Sequence, residues 1–250
     1  MLISLKPYVV RFVSTHRKAG KTSIASSVVK RLKEEGYKVA VVKHVAHEIT
    51  VEDKDTTRYI KAGADTVVAI SDTLVARYER QLAIDLARVI ENLDSFIIVV
   101  EGFKGSGIGD VIAVANTPKE LEELLKIEKN VIGVMGLEGH SSQSYKLLTV
   151  EEAAKLIESR ALEHLLNQLP KADCGMCGHS SCKSLAQALL KGVEAFCPRL
   201  IEVKLTVNNR LVVLNPFVKR LLVNILLAFI DSLKGVKRPF KHILVEVGLD

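Results

Sequence analysis

The sequence predicts an α/β chain whose mostly parallel sheet is covered by helices on both faces, followed by a four-cysteine segment and a β-β-α-β module. Three observations predict it: near-continuous Val/Ile runs, helix-period segments between those runs, and a change to strict alternation after the last cysteine. Residues 8–14 (YVVRFVS) read as a buried strand. Residues 22–35 place Ile24, Val28, Val29 and Leu32 on one helical face before Gly36 ends it. Further strands are expected at 38–43, 65–70, 96–100, 111–115 and 131–134, with helices over 82–93, 118–125 and 150–159. The first domain is expected to span 1–160 and the cysteine segment 161–201, leaving 202–250 as a small third unit. In that unit Val203, Leu205 and Val207 alternate, Asn208 and Asn209 supply a turn, and Leu211 and Val213 complete a hairpin. Asn215 and Pro216 then open a helix that runs to about residue 233, and residues 242–247 supply a last strand.

At 250 residues the chain can bury one sizeable core and carry one or two small appendages. Its 48% hydrophobic and 26% charged residues are those of a soluble globular protein. The apolar run 221–230 contains Asn224 and follows Lys219 and Arg220, so no membrane span is expected. No secretory signal is read in MLISLKPYVV, and the expected location is cytoplasmic. Most of the net charge of +6 lies in residues 201–250, where it either meets an acidic partner or is solvated surface. Few aromatics and no base-reading motif argue against a nucleic-acid role.

Between the first strand and first helix lies Thr15-His16-Arg17-Lys18-Ala19-Gly20-Lys21-Thr22, which ends as a Walker A motif. In such a loop, backbone N–H groups from Arg17 to Ser23 and the helix N-terminus cradle phosphates. Lys21 reaches the β and γ groups and Thr22 holds Mg²⁺. The strand before it and the helix after it make the fold P-loop NTPase-like. Thr15 stands where the motif has its first glycine, so a bent but working loop is expected. Arg17 and Lys18 either add charge for the phosphates or face solvent. Glu101, directly after FIIVV, is placed to complete the magnesium shell. Asp53 and Asp55 are further acids near the site, while His44 and His47 are either metal ligands or hydrogen-bonding groups. Lys43, His44 and Lys104 are candidate switch or ligand contacts. With no water-orienting residue or arginine finger to name, any hydrolysis is expected to be slow and its catalytic residues stay unassigned.

All four cysteines, Cys174, Cys177, Cys182 and Cys197, fall in one short segment. A disulfide framework does not suit so long a chain without a secretory signal. Four-cysteine zinc sites usually come as two tight pairs, and here only Cys174 and Cys177 form one. Three close cysteines and a remote fourth before Pro198 suit a [4Fe-4S] cluster, with zinc as the alternative. Gly175 and Gly178 let the backbone close tightly around such a centre.

Two resemblances follow from these residues. CGMCGHSSCKSLAQALLKG with Cys197-Pro198 resembles the small four-cysteine iron-sulfur domain of corrinoid iron-sulfur proteins and of a ferredoxin-like subunit of a membrane electron-transport complex. It implies a cluster held by the four cysteines. AGKTS, VVKHVAHE, KDTTRYIKAGAD and VVEGFK, in that order and spacing over residues 8–135, resemble the accessory protein B family of molybdopterin-guanine dinucleotide biosynthesis. That resemblance implies a GTP-binding P-loop protein, usually a homodimer, that assists the molybdopterin guanylyltransferase. Asn116-Thr117-Pro118-Lys119 is only a loose echo of the Asn-Lys-x-Asp base-reading motif, so guanine specificity rests on the resemblance. The expected function is therefore a GTP-binding accessory protein of molybdenum or tungsten cofactor maturation, with a guanylyltransferase or molybdoenzyme as partner. The alternative is a nucleotide-gated iron-sulfur electron-transfer or metallocentre-assembly factor.

Overall fold

The structure, a computed structural model, describes residues 5–16, 19–45, 49, 51, 53–80, 85–137, 145–200, 203, 205–208, 210–236 and 243–247. In chain order it forms β1 (Tyr8–Val13), α1 (Lys21–Glu34), β2 (Val39–Lys43), α2 (Lys54–Lys61), β3 (Thr66–Ile70), β4 (Val75–Glu79) and α3 (Leu86–Glu91). There follow β5 (Ile97–Glu101), β6 (Asp110–Val114), α4 (Pro118–Ile127), β7 (Val131–Met135), α5 (Val150–Gln168) and α6 (Cys182–Leu190). A 3-10 turn at Pro198–Leu200, β8 (Leu205–Val207), β9 (Arg210–Val212) and α7 (Pro216–Asp231) complete it.

Five strands make a wholly parallel sheet in the order β2-β5-β1-β6-β7. Because successive residues of a strand face opposite ways, β1 feeds two cores. Tyr8, Val10 and Phe12 pack with Ala25, Val28 and Leu32 of α1 and with Ile157, Ala161 and Leu165 of α5. On the other face, Val13 joins Leu121 and Leu124 of α4, and Val9 joins Leu86 and Ile90 of α3. Helices therefore cover both faces, and the strands read as unbroken apolar runs because neither face meets water.

The expected strand at 65–70 forms, but outside this sheet. As β3 it pairs antiparallel with β4, a segment the pattern reading did not single out, in a separate two-stranded sheet. Ser71 closes the hairpin: its amide donates to the Leu74 carbonyl at 2.8 Å and its hydroxyl bonds the same residue. β3 alternates exposed and half-buried residues, with Ile70 77% exposed, so it has only one face to bury and cannot sit in a two-sided sheet. The expected helix at 82–93 is shorter, Leu86–Glu91, and residues 82–84 lie outside the described residues. Helix α5 runs beyond residue 159 to Gln168, because Ala153, Ile157, Ala161 and Leu165 continue one buried row at a spacing of four. It begins with a Thr149–Glu152 capping box.

The C-terminal module forms in part. The β8–β9 hairpin turns through Asn208 at φ 50°, and the Asn215 side chain accepts from the Val218 amide to cap α7. Residues 243–247 carry no strand, so the expected β-β-α-β module is a β-β-α unit among the described residues. No residue of α7 is buried, and Phe217, Leu221, Ile225 and Phe229 are exposed at a spacing of four along one side. Among the described residues no helix is long and apolar enough to cross a membrane.

Candidate nucleotide site and four-cysteine centre

The phosphate loop joins the C-terminal end of β1 to α1. Gly20 at φ 79° is the N-cap residue of α1, a left-handed conformation that glycine adopts without strain, and Ala19 is buried beneath the turn. Lys21 folds back over the loop, its ammonium donating to the Ser14 hydroxyl and, at 2.9 Å, to the His16 carbonyl. Burial pushes the Lys21 pKa down; Glu101 opposes that fall, and the Lys104 and Lys43 charges add to it. Arg17 and Lys18 lie outside the described residues. Ser23 is exposed in the first turn of α1. The Thr15 hydroxyl oxygen is buried and has no hydrogen-bond partner. An orphaned donor, a cation held by neutral oxygens and a helix N-terminus in one loop fit an anionic phosphate.

Thr22 donates its hydroxyl hydrogen to Glu101 Oε1 at 2.6 Å, so the two expected magnesium residues meet across the loop. Strand pairing sets this geometry: Glu101 ends β5 opposite both Phe12 of β1 and Lys43 of β2. Lys43 Nζ lies 3.2 Å from the Thr22 hydroxyl and 3.3 Å from Glu101 Oε2. His44 donates its amide to the Glu101 carbonyl at 2.9 Å, and its ring sits 4.9 Å from the Phe103 ring. A Cβ on Gly102 would lie 2.9 Å from the His44 Cβ, so glycine is required where the chain leaves Glu101. Asp53 and Asp55 are engaged by α2 instead. Asp53 caps it by accepting from the Thr56 amide at 2.7 Å, Asp55 pairs with Arg58 at 3.0 Å, and no hydrogen bond or ion pair joins either to Thr22 or Glu101. His47 lies outside the described residues.

Pattern reading missed the side chains that brace this site. Arg11, 1% exposed, projects from the α4 side of β1 and bonds the Ile108 carbonyl at 2.6 Å, the Phe103 carbonyl at 2.9 Å and both carboxylate oxygens of Glu128. Glu128 in turn accepts from the Gly105 amide at 2.7 Å. The helix-free crossover from β5 to β6, which begins next to Glu101, is thus pinned by one guanidinium. Burial disfavours the Glu128 charge, but the Arg11 and Gly105 hydrogen bonds and the Arg11 and Lys104 charges outweigh it and hold the carboxyl below its usual range. A lone arginine inside YVVRFV was the available signal. On the loop's other flank, His16 meets Glu120 at 3.2 Å, and Glu120 also accepts from the Asn116 amide at 2.9 Å. These contacts hold the start of α4 against the phosphate loop.

The four cysteines line one small cavity with Pro170, Leu185, Pro198 and Arg199. Cys182 is the first residue of α6, which opens with a Ser181–Ser184 capping box, and its amide donates to Asp173 at 2.6 Å. Gly175 (φ 68°) and Gly178 (φ 85°) close a turn through Gly178 N–H to Gly175 C=O at 3.0 Å; Cys174 is exposed, and Cys182 and Cys197 are buried. The Met176 amide, with Arg199 nearby, lowers the Cys174 thiol pKa, while burial raises that of Cys197. All four are free thiols, and no three His, Cys, Asp or Glu side chains among the described residues group around a single-ion position.

This centre is fused to the nucleotide core. Leu185, Ala186, Leu189 and Leu190 of α6 belong to the same apolar cluster as α1, α5 and β1. The Lys38 amide, at the entry to β2, donates to the Leu190 carbonyl at 3.0 Å. That junction lies at the strand N-termini, whereas the phosphate loop lies at their C-termini. The 14 residues of α1 separate the two by about 20 Å at 1.5 Å per residue.

Comparison with known proteins follows the same division. The family model described as "Molybdopterin guanine dinucleotide synthesis protein B" matches residues 9–136, and one described as "Putative Fe-S cluster" matches residues 169–198. A Methanocaldococcus jannaschii protein named "Putative molybdopterin-guanine dinucleotide biosynthesis adapter protein" is 26% identical over 244 residues, covering 94% of this chain and 95% of its own. A Bacillus subtilis protein named "Probable molybdopterin-guanine dinucleotide biosynthesis adapter protein" is 27% identical over 172 residues, covering 66% of this chain and 95% of its own. The crystal structure of Bacillus subtilis MobB is 22% identical with a TM-score of 0.49, covering 62% of this chain and 97% of that one. With the first family model spanning just over half its length, the chain belongs to the molybdopterin guanine dinucleotide synthesis protein B family.

Proposed function

We propose that this protein is a GTP-binding adapter of molybdopterin guanine dinucleotide biosynthesis that carries a [4Fe-4S] cluster on its second segment. The observation that carries the nucleotide part is the meeting of Thr22 and Glu101 at 2.6 Å beside Lys21, inside a loop with an orphaned buried hydroxyl. Residues Ala19 to Ser23 and Lys21 would hold the phosphates; Thr22 and Glu101 would hold Mg²⁺, which neutralises phosphate charge when bound. Family membership and the names of the relatives support the biosynthetic role; in this reading the partner is a guanylyltransferase or molybdoenzyme and the working form a homodimer. Hydrolysis is slow in this reading, because no water-orienting residue or arginine finger is identified among the described residues. Titration of the purified chain with GTP and ATP tests it: GTP binds more tightly, and equal binding of ATP removes the guanine assignment.

Cys174, Cys177, Cys182 and Cys197 would ligate the cluster. One zinc ion at about 2.3 Å from each sulfur needs the four gathered around a single point, whereas a cuboidal cluster places each on a different iron. Three cysteines in a close run and a remote Cys197 before Pro198, all lining one cavity, support the cluster. Anaerobic iron and acid-labile sulfide analysis with an optical spectrum tests it; stoichiometric zinc without sulfide overturns it. A second reading, nucleotide-gated electron transfer or metallocentre assembly, draws support from the shared core of α1 and α6. Its mark is a cluster potential that changes with bound nucleotide.

A further inference from the structure

We infer that Lys43 is the resident counter-ion of the magnesium position: its ammonium bridges the Thr22 hydroxyl and the Glu101 carboxylate until a nucleotide-bound Mg²⁺ displaces it. The inference rests on the phosphate-loop reading and adds a role for a residue outside the loop.

The sheet builds the arrangement. Lys43 and Glu101 are Cα partners at the ends of β2 and β5, so their side chains leave the same edge of the sheet together. Thr22 gives its proton to Glu101 Oε1, so only its lone pairs face Lys43, which lies 3.2 Å from that oxygen and 3.3 Å from Glu101 Oε2. A hydroxyl lone pair beside a carboxylate oxygen is the donor set a magnesium shell uses. Lys21 does not compete for it, because its ammonium is bonded to Ser14 and the His16 carbonyl.

Lysine and metal cannot share the position. Magnesium binds oxygen at about 2.0–2.1 Å, and an ammonium held to the same two groups would be a second cation within its van der Waals shell. Exchange needs no rearrangement of the strand. The adjoining residue His44 is fixed by its amide bond to the Glu101 carbonyl and by its ring on Phe103, while the Lys43 side chain is 48% exposed and free to swing into water. Before metal arrives, the same ammonium offsets charge on an incoming triphosphate.

The prediction has two opposite signs. Lys43→Met weakens binding of a fluorescent GTP analogue in EDTA, because a positive charge is lost. The same substitution lowers the Mg²⁺ concentration at half-effect in the bound complex, because nothing has to be displaced. We expect that midpoint to fall about tenfold, the size of one buried or half-buried charge contact. Lys104→Met removes an equal charge that also acts on Lys21 but makes no bond to Thr22 or Glu101. Its effect on the midpoint should stay under about threefold, as for a screened charge. An unchanged midpoint in Lys43→Met, or an equal shift in Lys104→Met, overturns the inference while leaving nucleotide binding in place. Absence of nucleotide binding by the unsubstituted chain overturns the phosphate-loop reading itself, and the inference with it.

Discussion

Replacing Arg11 with methionine keeps most of the side-chain volume in β1 but removes a guanidinium that is 1% exposed and faces a carboxylate equally buried. The Glu128 carboxylate loses its counter-charge and keeps only the Gly105 amide, and the Ile108 and Phe103 carbonyls lose their donor. Removing one member of a buried pair typically costs about 3–5 kcal/mol, since the other charge is left uncompensated. Each orphaned carbonyl adds about 1 kcal/mol or more unless water reaches it. We therefore expect Arg11→Met to lower the unfolding free energy by about 5–7 kcal/mol in urea titration at pH 7. Replacing both partners, Arg11→Met with Glu128→Leu, should restore a large part of that loss. The pH dependence follows from the sign of the carboxyl shift. In the native chain the Glu128 pKa is depressed, so its contribution is complete above the unfolded value of about 4.3 and is lost as pH falls through the lower folded value. In Arg11→Met the same carboxyl is buried without its counter-charge, with only the Gly105 amide left, and its pKa rises, so that variant regains stability as pH falls from 7 while the native chain does not. A loss below about 1 kcal/mol, or a double variant as unstable as the sum of the single ones, refutes this account.

Gly109→Ala forces a left-handed φ of 68° on alanine and sets its Cβ 2.4 Å from the Val9 carbonyl oxygen, so a loss of about 2–4 kcal/mol is expected in the same titration. Lys21→Ala should weaken nucleotide binding at least about a hundredfold without changing the thermal midpoint of the nucleotide-free chain by more than a few degrees, since its ammonium bonds only loop oxygens. Serine at Cys197 should abolish iron retention and also loosen the α6 region, read by hydrogen exchange at Leu189 and Leu190, because Cys197 is buried in the shared core. Serine at the exposed Cys174 should lower iron content while leaving that exchange unchanged.

Much of the fold was legible because the central strands are buried on both sides and so write themselves as Val/Ile runs, as in FIIVV before Glu101. The candidate site was legible for a related reason. A phosphate loop needs glycine at a left-handed position and lysine then threonine at the helix start, and Gly20, Lys21 and Thr22 are contiguous. β3 was misplaced because Thr66–Ile70 is as Val-rich as the central strands, and only its partner, β4, shows that it has one face. The last strand was expected at 242–247, and residues 243–247 pair with nothing among the described residues. Arg11 and Glu128 lie 117 residues apart, so no local pattern could join them.

The sequence by itself determined the phosphate loop, the carboxylate that faces it and the grouping of all four cysteines, because each is written in contiguous residues whose chemistry is local. Tertiary structure alone decided what those groups meet. It brought Lys43 against the Thr22–Glu101 pair through strand register, pinned the crossover after Glu101 with a buried guanidinium, and fused the cysteine segment to the far end of α1. Each of those outcomes depends on pairings between distant parts of the chain, which packing selects and local composition does not encode.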